Sequence, residues 1–326
     1  MRDRSHPESV LVIVLAETRE HEHTFELFRQ NVLDQLGADL CLCVADNERE
    51  DPNNPFYREA RYVWRYPEQD DWGDAFDDAQ RQSGYDAPWR CLLGTGGQWL
   101  GGVRGEPRQP GSAGILLFFR WFLKERLLAT GAIDRYDRFI VTRSDFVHRV
   151  PHPPLRVLDR QRIWIPLGED YGGYTDRHIV ANREDILRVL GIVDPMLAEP
   201  GRLAAELGPS AKWNLERFIK FSFARQGLTG RVGRYPYTMY AVRSVGGHTR
   251  WARGRYEERL GYYIKYPTEY WRFRLAYRLV RSDSDWTPSR MALLRGLAAL
   301  QRGLQLCGGL TRRLTLPFRA IRSGKT

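Results

Sequence analysis

The chain has 326 residues, 42% apolar and 12% aromatic, enough for one large α/β domain or two modest ones and too apolar for disorder over most of its length. Its net charge of +10 is concentrated at one end: from Trp271 to Thr326, eleven Arg and one Lys oppose two Asp, an excess equal to that of the whole chain, so residues 1–270 are close to neutral. Four cysteines (Cys41, Cys43, Cys91, Cys307) have neither zinc-ligand spacing nor the density of a disulfide framework, the first nine residues lack an apolar signal core, and no apolar run approaches the ~20 residues of a membrane span; a cytoplasmic protein with reduced thiols is expected.

In chain order, the continuous apolar run Val10–Leu15 predicts a buried first strand. Thr24 is placed to cap a helix from Phe25 to Leu36 that stops at Gly37, and Asp39–Val44 is the second strand, giving the β-loop-α-β opening of a doubly wound fold. Residues 46–55 are polar and turn-rich, 61–66 suit a strand, and the acidic stretch 70–86 suits a short helix. Eight glycines between Gly94 and Gly114 predict a mobile loop, with a lid over a substrate as its functional version. The loop is not a nucleotide motif. Trp99 stands where the dinucleotide fingerprint needs glycine, and Val103 and Arg104 stand where the phosphate loop needs Lys and Ser or Thr. Ser112 opens an apolar helix ending near Thr130, and Arg138–Thr142 is a strand. Beyond it come short strands at 162–165 and 178–181, helices at 183–190 and 211–225 (the latter capped by Ser210), and a β-rich segment at 235–242. Beyond Trp271 the chain is basic and helical.

Four clusters fall where the C-terminal edge of such a sheet leaves a ligand crevice. Glu17, Thr18 and Arg19 come directly after the first strand, where Thr18 and Arg19 can meet a base or a phosphate or simply close a loop. Arg143, Ser144 and Asp145 end the strand Phe139-Ile140-Val141. Asp145 is a candidate oxygen ligand for Mg²⁺ or Mn²⁺, and Arg143 a bidentate partner for phosphate, although the two can also just pair with each other. Glu169, Asp170, Tyr171, Gly172, Gly173, Tyr174, Asp176 and Arg177 form a loop whose carboxylates and tyrosines suit sugar hydroxyls. Asp176 suits a general base, or alternatively a cap for the next element of the chain. His248, after Gly246 and Gly247, is a candidate late metal or phosphate ligand, against the commoner structural role of a lone histidine.

Taken together, the Val-Ile-Val-Leu strand with Thr18-Arg19 after it, Arg135 to Asp145 (Arg-Tyr-Asp-Arg-Phe-Ile-Val-Thr-Arg-Ser-Asp), Trp164-Ile165-Pro166 and Gly168 to Arg177 resemble the GT-A glycosyltransferases. The likeness is greatest to lipopolysaccharide-synthesis transferases of the WavE type and related capsule enzymes. It covers roughly residues 10–270. It implies a GT-A-like single Rossmann-type domain at 1–270 with a mixed central sheet flanked by helices; the charge pattern adds a basic helical appendage at 271–326. It also implies a nucleotide-sugar donor held by Glu17, Thr18, Arg19, Arg143, Ser144 and Asp145, a saccharide or lipid-linked saccharide acceptor facing 169–177, and Asp176 as the base of an inverting transfer. A divalent cation (Mn²⁺ or Mg²⁺) on Asp145, with His248 as a further ligand by chain order, belongs to the same expectation, but Arg143 replaces the first Asp of the usual motif and leaves metal-independent chemistry open. Leu293, Leu297, Leu300 and Leu304 lie on one helical stripe of the basic tail. Residues 288–322 can therefore lie on an anionic membrane at the inner face, or pack their leucines on the body. The alternative from a different class is a non-catalytic nucleic-acid- or membrane-binding adaptor; no nucleic-acid motif is present in the tail, so a nucleic-acid partner is not expected.

Overall fold

The computed structural model describes residues 8–46, 53–104, 110–247 and 253–306, with backbone alone for 301–306. The chain is mixed α/β. The strands among the described residues are β1 Val10–Ala16, β2 Asp39–Asp46, β3 Ala60–Pro67, β4 Arg138–Thr142, β5 Phe146–Val147, β6 Ile163–Pro166, β7 Ile179–Asn182, β8 Val232–Tyr235, β9 Tyr240–Arg243, β10 Arg255–Glu257 and β11 Tyr262–Ile264. A seven-stranded sheet runs β3-β2-β1-β4-β7-β6-β8, and a small sheet runs β10-β11-β9-β5. β3, β2, β1 and β4 are mutually parallel, whereas β7 is antiparallel to both β4 and β6.

The unbroken apolar run of β1 is explained by its position. Both faces are covered: Leu11, Ile13 and Leu15 meet one core with Trp89 and Phe118, while Val10, Val12 and Val14 meet the other with Phe25 and Phe273. Because β2 and β4 flank β1 on opposite sides, the chain reverses its winding between β1 and β4. That is the switch point at which open sheets form a crevice beyond their strand ends. Val14 pairs with Thr142 and Val141 with Ile179, so the ends of β1 and β4 and the start of β7 share one rim.

Several sequence expectations shift in detail. The first helix spans His21–Phe28 and continues as a π-helix to Asp34; Glu20, not Thr24, is its N-cap, and Thr24 Oγ1 donates to the Glu20 carbonyl from inside the first turn. The helix expected at 211–225 is Leu215–Arg225, capped by Asn214, whose side chain accepts from the Arg217 N–H at 2.8 Å. Asn214 displaces Ser210 because it stands directly ahead of the run that repeats with helical period.

The glycine-rich segment is not a loose lid in its described part. Trp99, Leu100 and Val103 are buried, and a Cβ on Gly97 or Gly101 would overlap the backbone oxygen of Trp213 or Pro110. These glycines serve close packing.

The described part of the C-terminal segment packs on the body. Helix Pro267–Leu279 crosses position 270, and Phe273, Ala276, Val280, Trp286, Met291 and Leu294 all join the core beneath β1. No described helix is long and apolar enough to cross a membrane.

Candidate functional site

A cavity of about 650 Å³ opens at the rim shared by β1, β4 and β7. Its wall divides into three regions. Ala16, Ala45, Trp72, Ile115 and Leu116, from the ends of β1 and β2 and from the helices behind them, make an apolar slot. Arg19, Arg143, Arg243 and Lys265 make a cationic centre around Asp145. Asp176 and Glu216, with Tyr171, Asn214 and Tyr266 nearby, make an acidic end.

The cationic centre is assembled from both sheets. Arg19 comes after β1, Arg143 and Asp145 after β4, Arg243 ends β9 and Lys265 comes after β11. Asp145 Oδ2 accepts from Arg243 at 2.6 Å, Arg143 at 3.0 Å and Arg19 at 3.3 Å. Burial alone would raise the Asp145 pKa, but Arg143, Arg243 and Arg19 hold it well below the usual carboxylate range. Desolvation, reinforced by Arg143 and Arg243, pushes the Lys265 ammonium down to about 7. Arg243 is fully buried, and its Nε and Nη2 lack hydrogen-bond acceptors. Ser144 clips the two loops together: its hydroxyl accepts from the Arg19 N–H at 2.9 Å and donates to the Glu17 carbonyl at 3.0 Å. Glu17 pairs with Arg19 at 2.8 Å on the rim.

At the acidic end, desolvation and the proximity of Asp176 push Glu216 up to about 8. Arg120 lies fully buried behind them, interacting electrostatically with Asp176 while its Nε and Nη1 lack acceptors. Arg177 is fixed by Glu269 at 2.7 Å and stacked on the Tyr266 ring at 4.3 Å. Backbone strain gathers in the same loops. Among the described residues the non-glycine positions with positive φ are Ala16, Glu20, Glu169 and Tyr171, and Ala16 and Tyr171 line the cavity. Such conformations cost about 1–3 kcal/mol each and concentrate where a site over-determines its loops.

Of the residues singled out from sequence, Glu17, Arg19, Arg143, Ser144, Asp145, Tyr171, Asp176 and Arg177 line this one cavity. The others have different work. Thr18 turns to Tyr57 and Asn54. Glu169 is held by Arg272 at 2.5 Å, Tyr171 and Thr268, and Asp170 by Arg234 at 2.7 Å. Gly172 and Gly173 let the loop lie against the helix at Leu215–Arg225: a Cβ on Gly172 would meet the Arg217 guanidinium at 2.6 Å, and one on Gly173 would overlap the Glu216 carbonyl oxygen. Tyr174 is buried beneath Arg234 and against Phe223. Glu169, Asp170, Gly172, Gly173 and Tyr174 thus brace the loop, the two carboxylates being paired with Arg272 and Arg234 of the body. His248 lies outside the described residues.

Arg243, Lys265 and Glu216 were not legible as site residues. Tyr240-Ala-Val-Arg243 and Tyr262-Tyr-Ile-Lys265 share one signal, an apolar strand ending in a cation, but each is short and the partner strand is distant in sequence. Glu216 reads as an ordinary acidic residue in the first turn of a helix. No family model matches the chain, and no curated protein matches it.

The donor set at Asp145 does not fit a divalent cation. Three guanidinium groups occupy Oδ2, and only the buried Oδ1 is left without a partner. Among the described residues, no three His, Cys, Asp or Glu side chains are placed to hold a metal. A dication seated on Oδ1 would face Arg19, Arg143, Arg243 and Lys265 at close range.

Proposed function

We propose that the chain is a glycosyltransferase of GT-A type that uses a nucleotide-diphosphate sugar. The observation that carries this is that a single cavity is lined by apolar side chains, a cation cluster and a carboxylate pair. A base and ribose suit the slot, a diphosphate the centre, and an acceptor hydroxyl the acidic end. The volume lies within the range of small-molecule sites. In the proposed step the acceptor oxygen bonds to the anomeric carbon as the bond from that carbon to the diphosphate oxygen breaks. The electron pair leaves with the nucleoside diphosphate, and the acceptor proton passes to Asp176. The cations stabilise charge that grows on the leaving group. A non-catalytic adaptor has no use for a carboxylate pair beside a desolvated cation cluster.

The test is a panel of nucleotide sugars with saccharide acceptors, read by product analysis. Transfer from one donor is expected, with Asp176→Asn lowering kcat by about 10²–10⁴-fold while donor KM changes little. Absence of both transfer and nucleotide binding across the panel would refute the proposal.

The acceptor side of the proposal includes a lipid surface. In the helix Pro288–Leu306, Met291, Leu294 and Ala298 pack on the body, which leaves Leu293 52% and Leu300 67% exposed on the stripe expected from sequence. With the excess positive charge of 271–326, this face suits anionic lipid, where a lipid-linked acceptor would be found. Vesicles containing phosphatidylglycerol should co-sediment the protein, and Leu293→Glu with Leu300→Glu should lower the bound fraction at least about tenfold. Equal binding of the double variant would exclude this face.

A further inference from the structure

We propose that the guanidinium and ammonium groups around Asp145 neutralise the ligand's diphosphate without a metal ion, and that Asp145 is their counter-charge, not a metal ligand. The inference rests on the transferase proposal for the identity of the diphosphate, but its physical basis is independent. Arg243 Nη1 donates to Asp145 and to the Val242 carbonyl, whereas Nε and Nη2 have no acceptor. Nε and Nη2 share one edge of the planar guanidinium. That edge is the fork that meets two oxygens of a phosphate or carboxylate. A fully buried guanidinium with this edge unsatisfied is costly unless an oxyanion completes it.

The surrounding charges agree in sign. Arg19 and Arg143 keep side chains 34% and 21% exposed while anchored to Asp145, so both can turn donors toward the cavity. Lys265 lies over the Tyr266 ring at 5.2 Å, at the same wall. Glu17 offsets Arg19 and Asp145 offsets one further cation, so the centre keeps a surplus of positive charge. A dianionic or trianionic diphosphate removes that surplus, whereas a divalent metal adds to it. Two sheets contribute to the cluster, which holds the donors at fixed separations before the ligand arrives. Such preorganisation is what a leaving diphosphate requires.

The experiment is calorimetric titration of the full chain with inorganic pyrophosphate and with a set of nucleoside diphosphates, first in excess EDTA and then with Mn²⁺ or Mg²⁺. Pyrophosphate is expected to bind in EDTA, with less than about threefold change on adding metal, and to bind at least about tenfold more tightly than monophosphate. Arg19→Gln and Lys265→Met should each weaken it about tenfold. Asp145→Asn should bind pyrophosphate in EDTA as tightly as the wild type or more so, because a negative charge beside the ligand is gone. In the Mn²⁺ or Mg²⁺ arm, loss of a metal ligand would instead weaken binding at least about tenfold. Binding that appears only with metal overturns the inference and leaves the transferase proposal standing. Metal-free pyrophosphate binding without affinity for any nucleotide supports the cluster as a polyphosphate site and removes the transferase. No binding of either ligand, with or without metal, overturns both.

Discussion

Asp145 presents one oxygen to three guanidinium groups, so it behaves as the keystone of a cation cluster. At the other end of the cavity Glu216 behaves oppositely. Desolvation and Asp176 keep its proton on to about pH 8. A carboxyl whose pKa is raised in the folded chain contributes its stability below the unfolded value of 4.5 and loses it as pH rises through the folded value. Gln resembles the protonated acid. Glu216→Gln should therefore match the wild type in melting temperature near about pH 5 and exceed it increasingly toward about pH 9, by on the order of 2 kcal/mol. A gap that stays constant with pH, read by thermal melts across that range, would show that Glu216 ionises freely.

At the scale of elements, the acidic end depends on one close approach. The loop at 168–177 and the helix Leu215–Arg225 are joined by the Tyr174 N–H to the Glu216 carbonyl at 2.9 Å and by the Asn214 side chain to the Tyr171 carbonyl at 3.1 Å. Gly173 makes this possible, since any Cβ there would overlap the Glu216 backbone. Gly173→Ala should push the loop off the helix, separate Asp176 from Glu216, and cost about 1–3 kcal/mol in stability with a larger proportional loss of turnover. Denaturant unfolding beside a kinetic assay measures both; a variant with unaltered turnover would place Asp176 outside the chemistry. Gly172 and Gly173 allow a close approach to the helix Leu215–Arg225, and no local sequence pattern tells that from an approach to a ligand.

For the molecule as a whole, legibility depended on how far apart in sequence the causes of each feature lie. The strand Arg138–Thr142 and the helix Arg183–Leu190 were readable to the residue, because each is set by its own run of side chains. The convergence of Glu17, Arg19, Asp145 and Asp176 could be expected from the rule that open sheets place ligands at the switch point. Arg243 and Lys265 were beyond reach because their place is set by pairing of β9 with β5 and β11, which no short window records. The boundary drawn at 270 tracked charge, but packing ignores it. Phe273, Ala276, Val280 and Trp286 are each at most 2% exposed in the core beneath β1. A chain ending at residue 270 should fail to unfold cooperatively, losing several kcal/mol for each large side chain removed. Circular dichroism melts of that fragment beside the full chain would test this, and a matching sharp transition would make the tail a true appendage.

The cluster around Asp145 also constrains the order of events during synthesis. Its members leave the ribosome far apart in time: Arg19 comes early, Asp145 near the middle, Arg243 and Lys265 late. A growing chain shorter than 265 residues can form most of the parallel sheet, yet it holds a buried carboxylate with only part of its positive escort. The full set of cations around Asp145 is thus complete only once β9 and β11 have docked.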